Sequence, residues 1–317
     1  MLVTVLVSFG ATLVSSPLVR RSMIRNGVLD KPNHRSSHTL VTPRGGGLAC
    51  LVGVAAALLV GLLLADIHPP WTAVIAAVGL CAVGYRDDRH SLPAIPRLLA
   101  QMIAGAAIGS AAGGVWWAVG GTAIVPLVVN VVNFMDGING ITGLHVGWWG
   151  MIALWAGLLH QTLALAFLGA LCIGCALGFL PTNFPRATMF LGDSGSYLFG
   201  GLIAAGVIYA GATSGDLVLV AAPLTLYLVD TACTLLRRLR SHAPLMEAHR
   251  DHVYQHISGP LGYSHAAVAL GMITMSIVIT VAWVILPAVG IAAAAGGSIF
   301  YLNAVRLMHA LNLRTGG

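Results

Sequence analysis

Residues Val115–Gly143 read VWWAVGGTAIVPLVVNVVNFMDGINGITG, a long apolar run that passes into two amides, a carboxylate, glycines and a third amide. The run Val115–Val132 has about the length of a helix that crosses a bilayer. Asn130 and Asn133 share one helical face by their i, i+3 spacing, and Asp136 falls one further turn along if the helix continues that far. A glycine stop to the helix explains Gly137 and Gly140. It gives Asn130, Asn133, Asp136 and Asn139 no task, so the end of this run is expected to carry chemistry.

The whole chain agrees with that start. Its 317 residues are 57% hydrophobic and 8% charged, with a mean hydropathy of +0.88, against roughly 25% charged residues in a soluble domain. The composition implies an all-α, polytopic membrane bundle and offers nothing that suits a nucleic-acid partner. Apolar runs near 2–19, 45–65, 70–85, 97–113, 115–132, 143–160, 162–181, 195–213, 217–236, 262–286 and 288–312 predict about eleven spans. The run at 70–85 is short enough to tilt or re-enter. A single transmembrane domain, 1–317, is expected, with polar loops near 20–44, 86–97, 133–142, 182–194 and 237–261. Arg20 and Arg21 follow the first run, whereas a signal peptide puts its charges first, so a retained helix is expected. Cys50, Cys81, Cys172, Cys175 and Cys233 all lie in apolar runs. The Cys172/Cys175 pair, in LGALCIGCALG, reads as small-residue helix packing.

With eleven spans, all sixteen lysines and arginines fall in loops on one side of the membrane. The positive-inside rule makes that side cytoplasmic, the N-terminus outside and the C-terminus inside. Asp66 and Asp216 fall in outer loops. Asp30, Asp87, Asp88, Asp136, Asp193, Glu247 and Asp251 fall in or beside inner ones, which places the expected chemistry on the cytoplasmic face. Asp230 sits within the ninth run, either paired with a neighbouring helix or part of the lipid-phosphate entry, and a structural pairing is expected.

Three further clusters share that face. In GYRDDRHSLPAIPRLLAQ, residues 84–101, the adjacent Asp87 and Asp88 repel each other unless a cation, a proton-transfer task or Arg86 and Arg89 hold them. Arg97 there could reach a phosphate from the start of the next helix. In NFPRATMFLGDSGSYLFGG, residues 183–201, Asp193 is placed to cap a helix while offering an oxygen to Mg²⁺. In EAHRDHVYQH, residues 247–256, His249, His252 and His256 would line one helix face. That spacing is compatible with zinc, but Arg250 and the nearby arginines suit a phosphate dianion better. Acids, amides and Arg/His groups together describe phosphoryl transfer at a membrane surface.

The ordered strings DD-x-x-x-L (Asp87 to Leu92), N-x-x-N-x-x-D-G-I-N-G (Asn130 to Gly140), F-L-G-D-S-G-S (Phe190 to Ser196) and A-H-R-D-H-x-Y-Q (Ala248 to Gln255) resemble the polyprenyl-phosphate N-acetylhexosamine-1-phosphate transferases, the MraY and WecA type of glycosyltransferase family 4. D-K-P-N-H-R-x-x-H with T-P-R-G-G-G (Asp30 to Gly47) is similar to that family's first inner loop, and the last string looks most like the branch that starts O-antigen or other surface glycans. The resemblance implies attack by undecaprenyl phosphate on the β-phosphorus of a UDP-N-acetyl-sugar, giving undecaprenyl-diphosphate-sugar and UMP. It implies a requirement for Mg²⁺, with Mn²⁺ as a substitute, in a bacterial inner-membrane protein, and a possible homodimer. By similarity, Asn133 and Asp193 hold the metal, and Asp87, Asp88 and Asp136 are the catalytic acids, Asp87 deprotonating or orienting the lipid phosphate. Asn139 contacts the uracil, Arg97 and Arg250 the phosphates, and His249 and His252 the diphosphate or sugar.

The chain departs from the pattern at several positions. The lysine that the peptidoglycan branch has just before T-P-x-x-G-G is absent, the neighbourhood reading Ser37-His38-Thr39, which shifts a basic role to His38 or Arg35. Asn139 and Ser91 stand where the family has further acids. N-acetylglucosamine, N-acetylgalactosamine and 6-deoxy donors all stay open. A rival class, a transporter, predicts deep charges and broken helices in matched halves.

Overall fold

A computed structural model describes residues 1–32, 40–64, 69–244 and 249–315. His34, Arg35, His38, Asp66, Glu247 and Ala248, singled out above, lie outside them. The first eight apolar runs become helices: α1 Leu2–Arg25, α2 Gly47–Leu64, α3 Trp71–His90, α4 Ala94–Gly113, α5 Val115–Met135, α6 Ile141–Leu159, α7 Leu163–Asn183 and α8 Gly192–Tyr209. A π-turn, Ala210–Ser214, then leads into α9 Leu217–Ala221, which a 3-10 turn at Pro223 joins to α10 Thr225–Arg240. The short α11 Val253–Ser258 precedes α12 His265–Ile285 and α13 Pro287–Thr315. Between α1 and α2, β1 Leu29–Asp30 pairs antiparallel with β2 Thr42–Pro43.

The helix ends follow local chemistry. α3 stops at Ser91, whose φ of 45° leaves the helical region, and α4 restarts after Pro93. α5 stops at Asp136, so that acid lies beyond the helix and does not continue its Asn130–Asn133 face. Among the described residues nine helices are long and apolar enough to cross a membrane. α2 and α3 complete the expected runs. The apolar part of α2 ends at Leu63, and α3 is a 20-residue helix carrying Arg86, Asp87, Asp88 and Arg89 at its end.

α8 is the central post: 83% of its span is buried, against 17% for α13, and it packs on α3, α5, α2, α4 and α7. In lipid, apolar side chains gain little by leaving their surroundings, so close backbone approach carries the packing. The cysteines serve that packing. All five are free thiols, and Cys175 Sγ donates to the Cys50 carbonyl at 3.4 Å where α7 meets α2. A second cluster, around Leu226, Tyr227, Tyr254, Met272 and Tyr301, joins α10 and α11 to α12 and α13.

Candidate active site

The first N–H groups of a helix have no acceptor within it. In α8 they are satisfied from another helix: Asp88, in the last turn of α3, accepts from Asp193 N through Oδ1 and from Ser194 N through Oδ2, both at 3.0 Å. The cap expected of Asp193 therefore comes from Asp88, because Asp193 already lies inside the first turn of α8. Arg44 flanks this cap, with Nε 3.7 Å from Asp88 Oδ1 and a guanidinium nitrogen donating to the Asp88 carbonyl. The partners of the adjacent acids are thus Arg44 and Arg97, not Arg86 and Arg89.

Two glycines make the arrangement possible. A Cβ on Gly84 would lie 2.2 Å from the Asp193 carbonyl oxygen, and one on Gly47 would lie 2.1 Å from Gly195 N. The first loop closes on the same spot, with Gly46 N and Gly47 N donating to the Phe190 and Leu191 carbonyls at 3.0 Å. T-P-R-G-G-G and F-L-G-D-S-G-S, far apart in the chain, are bonded backbone to backbone.

Asp193, released from capping, accepts from Asn133 Nδ2 at 2.6 Å through Oδ1, and the same amide reaches Ser196 Oγ at 3.0 Å. Asp87 holds Arg97: its Oδ2 accepts from Nη1 at 2.6 Å, its Oδ1 accepts from Leu92 N at 2.6 Å, and Tyr197 OH lies 3.4 Å from the same Nη1. Asp136 is electrostatically coupled to this group. Burial, then the charges of Asp193 and Asp88, push its carboxyl up to about 8 against the lowering effect of Thr142.

The histidine loop faces these acids. α11 begins only at Val253, with His252 as its N-cap and Gln255 Oε1 accepting from His252 N at 3.3 Å, so His249, His252 and His256 do not share one helix face. His249 stacks on His252 with ring centroids 5.1 Å apart. Partial burial, then the neighbouring His252 and Arg238, lower His249 to about 4. Asp251 is partly buried, which opposes ionisation, yet its hydrogen bond from Arg238 Nη1 at 2.5 Å holds it below the usual carboxylate range. Beneath the loop, Asp230 is 0% exposed and meets His252 Nδ1 at 3.3 Å. It accepts from Val253 N at 3.1 Å, Thr234 Oγ1 at 3.1 Å and Tyr301 OH at 2.7 Å. The expected pairing of Asp230 is present, with a histidine, a threonine and a tyrosine as its side-chain partners.

A cavity of about 620 Å³ lies between the two halves, and Arg97, Asn133, Asp193, His249 and His252 line it together. Asp87 stands behind Arg97 and Asp88 behind Asp193. Asp136, Asn139 and Arg250 are not in the lining: Asn139 Nδ2 donates to the Pro185 carbonyl at 3.3 Å, and the Arg250 guanidinium lies against Gly259. The lining also includes Gln101, Asn130, Tyr254 and Gln255. Gln101, one helical turn after Arg97, had an i, i+4 signal in the sequence; Tyr301 had none.

Asp193 offers carboxylate oxygens beside acids whose mutual repulsion a divalent cation would relieve, which fits Mg²⁺; Asn133 turns its Nδ2 to Asp193 and would offer Oδ1 to the same cation with its amide flipped. Among the described residues no group of three His, Cys, Asp or Glu forms a closed metal site. The cation would therefore complete its shell with phosphate oxygens and water, and the zinc arrangement of the histidines is not formed.

Residues 70–211 match the sequence profile of glycosyl transferase family 4. Over 309 residues the chain is 31% identical to a decaprenyl-phosphate N-acetylglucosaminephosphotransferase of Mycolicibacterium smegmatis, covering 82% of this chain and 75% of that one. The chain belongs to glycosyl transferase family 4. A second relative is 27% identical over 90% of this chain and 84% of its own length; it is named probable undecaprenyl-phosphate N-acetylglucosaminyl 1-phosphate transferase, from Bacillus subtilis. A phospho-N-acetylmuramoyl-pentapeptide-transferase of Desulforudis audaxviator is 31% identical over 64% of this chain and 74% of that one. The profile of glycosyl transferase family 4 spans the acids and Arg97; the histidine loop lies beyond it.

Proposed function

We propose that this family 4 protein transfers N-acetylhexosamine 1-phosphate from a UDP-sugar to undecaprenyl phosphate at the cytoplasmic face of the bacterial inner membrane. The observation that carries this reading is the shared cavity, where Asp193 and Asn133 face Arg97, His249 and His252 beside the apolar side chains Ile95, Leu98 and Leu235. An oxygen of the lipid phosphate attacks the β-phosphorus, the bond from that phosphorus to the oxygen bridging to the α-phosphorus breaks, and UMP leaves with that oxygen. When bound at Asp193 and Asn133, Mg²⁺ would neutralise charge on the diphosphate. Asp87 fixes the Arg97 fork for a phosphate, which favours an orienting role over proton abstraction. Asp88 fixes Asp193 by capping the first N–H groups of α8. His249, neutral near pH 7 by the lowering to about 4, donates a hydrogen bond rather than a charge.

The names of the relatives point to UDP-N-acetylglucosamine as the first donor to test, and the wider coverage by N-acetylglucosamine enzymes supports surface-glycan initiation, O-antigen included, over the pentapeptide branch. N-acetylgalactosamine and 6-deoxy donors complete the panel. A transporter is disfavoured because the deep charge, Asp230, is fully engaged by side chains and backbone. The test is UMP release by purified protein across that panel, with and without undecaprenyl phosphate and Mg²⁺. Release that needs both supports the reading; release without lipid phosphate, or from no donor, overturns it. Asp193→Asn is expected to abolish release while the protein stays folded in detergent.

A further inference from the structure

Gln101 lines the cavity from α4 and is 0% exposed. Its Oε1 accepts from Asn130 Nδ2 at 2.7 Å, and that nitrogen also donates to the Pro126 carbonyl at 2.8 Å. A carbonyl can only accept, so this end of Asn130 is nitrogen and the facing atom of Gln101 is oxygen. The other end, Nε2, carries two N–H groups and meets no acceptor among the described residues. Leaving such a buried donor unmatched is costly, on the order of 1–3 kcal/mol. In a cavity wall it is a donor held for an occupant.

The position selects the occupant. Gln101 is one turn deeper along α4 than Arg97, and Asn130 is nearly one turn deeper along α5 than Asn133, about 5–6 Å from the level of the acids. Ile95 and Leu98 line the same cavity, yet are 70% and 41% exposed on the outside of the bundle. A wall that reaches the apolar exterior suits an amphiphile with its head inside and its chain in lipid. At that depth a neutral amide can bind a phosphate without burying a second charge.

We propose that Gln101, oriented by Asn130, positions the acceptor lipid by donating from Nε2 to one of its phosphoryl oxygens. The inference rests on the reading of the chain as a polyprenyl-phosphate sugar-1-phosphate transferase. Two near-isosteric variants test it. Gln101→Met removes the donor at similar volume. Gln101→Glu keeps the oxygen that Asn130 needs and places a second acceptor where the donor was, which repels a phosphate but accepts readily from a sugar hydroxyl.

Full-length protein in nanodiscs is assayed for retention of undecaprenyl phosphate without nucleotide sugar, for the KM of each substrate, and for thermal stability. Both variants are expected to retain the lipid about tenfold less well or worse, with Gln101→Glu the weaker, to raise the lipid KM similarly, and to leave the UDP-sugar KM within about twofold. Equal retention by wild type and both variants, a rise confined to the UDP-sugar KM, or a Gln101→Glu variant that behaves like wild type would each overturn it. Retention needs no turnover, so a wild type that binds the lipid through Gln101 but releases no UMP fails the reaction and leaves this contact standing.

Discussion

Asp136 and His249 respond to their surroundings in opposite senses. The carboxyl of Asp136 is raised from an ordinary 3.8 to about 8 by burial and by the Asp193 and Asp88 charges. Between those values the folded protein holds a proton that the unfolded chain releases, so stability falls as pH rises. His249 is lowered from 6.5 to about 4, so over that window the unfolded chain takes the proton and stability falls as pH drops. Of these two slopes, only that of Asp136 remains above 6.5. Melts of EDTA-treated protein are expected to lose stability from about pH 6.5 to 8. Asp136→Asn should flatten the slope, and so should Mg²⁺, which favours the ionised carboxylate. A melting temperature that does not fall over this window would mean that Asp136 is ionised in the fold. The acid was legible in D-G-I-N-G; its partial burial was not, since the Asp193 and Asp88 charges beside it come from distant turns. Asn139 shows the same limit, because its partner carbonyl belongs to Pro185, across another loop.

At the level of elements, α8 depends on a cap that α3 provides. Asp88→Ala removes both acceptors and is expected to cost about 1–2 kcal/mol, displacing Asp193 and lowering turnover with it. Asp88→Asn keeps one acceptor oxygen and should recover part of both losses. If the melting temperature and turnover of Asp88→Ala match wild type, the cap is dispensable. Gly47→Ala is expected to prevent docking of the first loop, since its Cβ would lie 2.1 Å from Gly195 N; overpacking of this kind costs roughly 1–3 kcal/mol. Proteolysis that cuts the 40–47 segment no faster in that variant would count against the docking. Most helices were readable to within a few residues, because their apolar runs approach the length of a span, whereas the break of the ninth run around Pro223 was not. Sequence pattern could not assign the cap to Asp88, because Asp193 stands at a textually plausible position and its true partner is 105 residues away.

Across the whole molecule, the histidine half is suspended from Asp230, which ties α13 to the loop through Tyr301. Tyr301→Phe deletes a 2.7 Å hydrogen bond to a buried carboxylate, a loss of about 1.5–3 kcal/mol. The variant is expected to be cut faster near residues 249–258 and to show a raised KM for the UDP-sugar with unchanged Mg²⁺ dependence. Unchanged cleavage would detach α13 from the site. Membrane class and the gathering of acids, amides and histidines were legible from composition and order, whereas a bond from residue 301 to residue 230 leaves no local trace. The two halves also differ in how freely they can drift. Around Asp193, Gly47 and Gly84 bring backbones so near that even one methyl group is refused. The histidine side is held mainly through side chains: the Asp230 carboxylate, Arg238 on Asp251, and Tyr254 OH on the Phe134 carbonyl. Side-chain ties can be exchanged with less disturbance than crowded backbones, so descendants with new sugar preferences should differ on the histidine side.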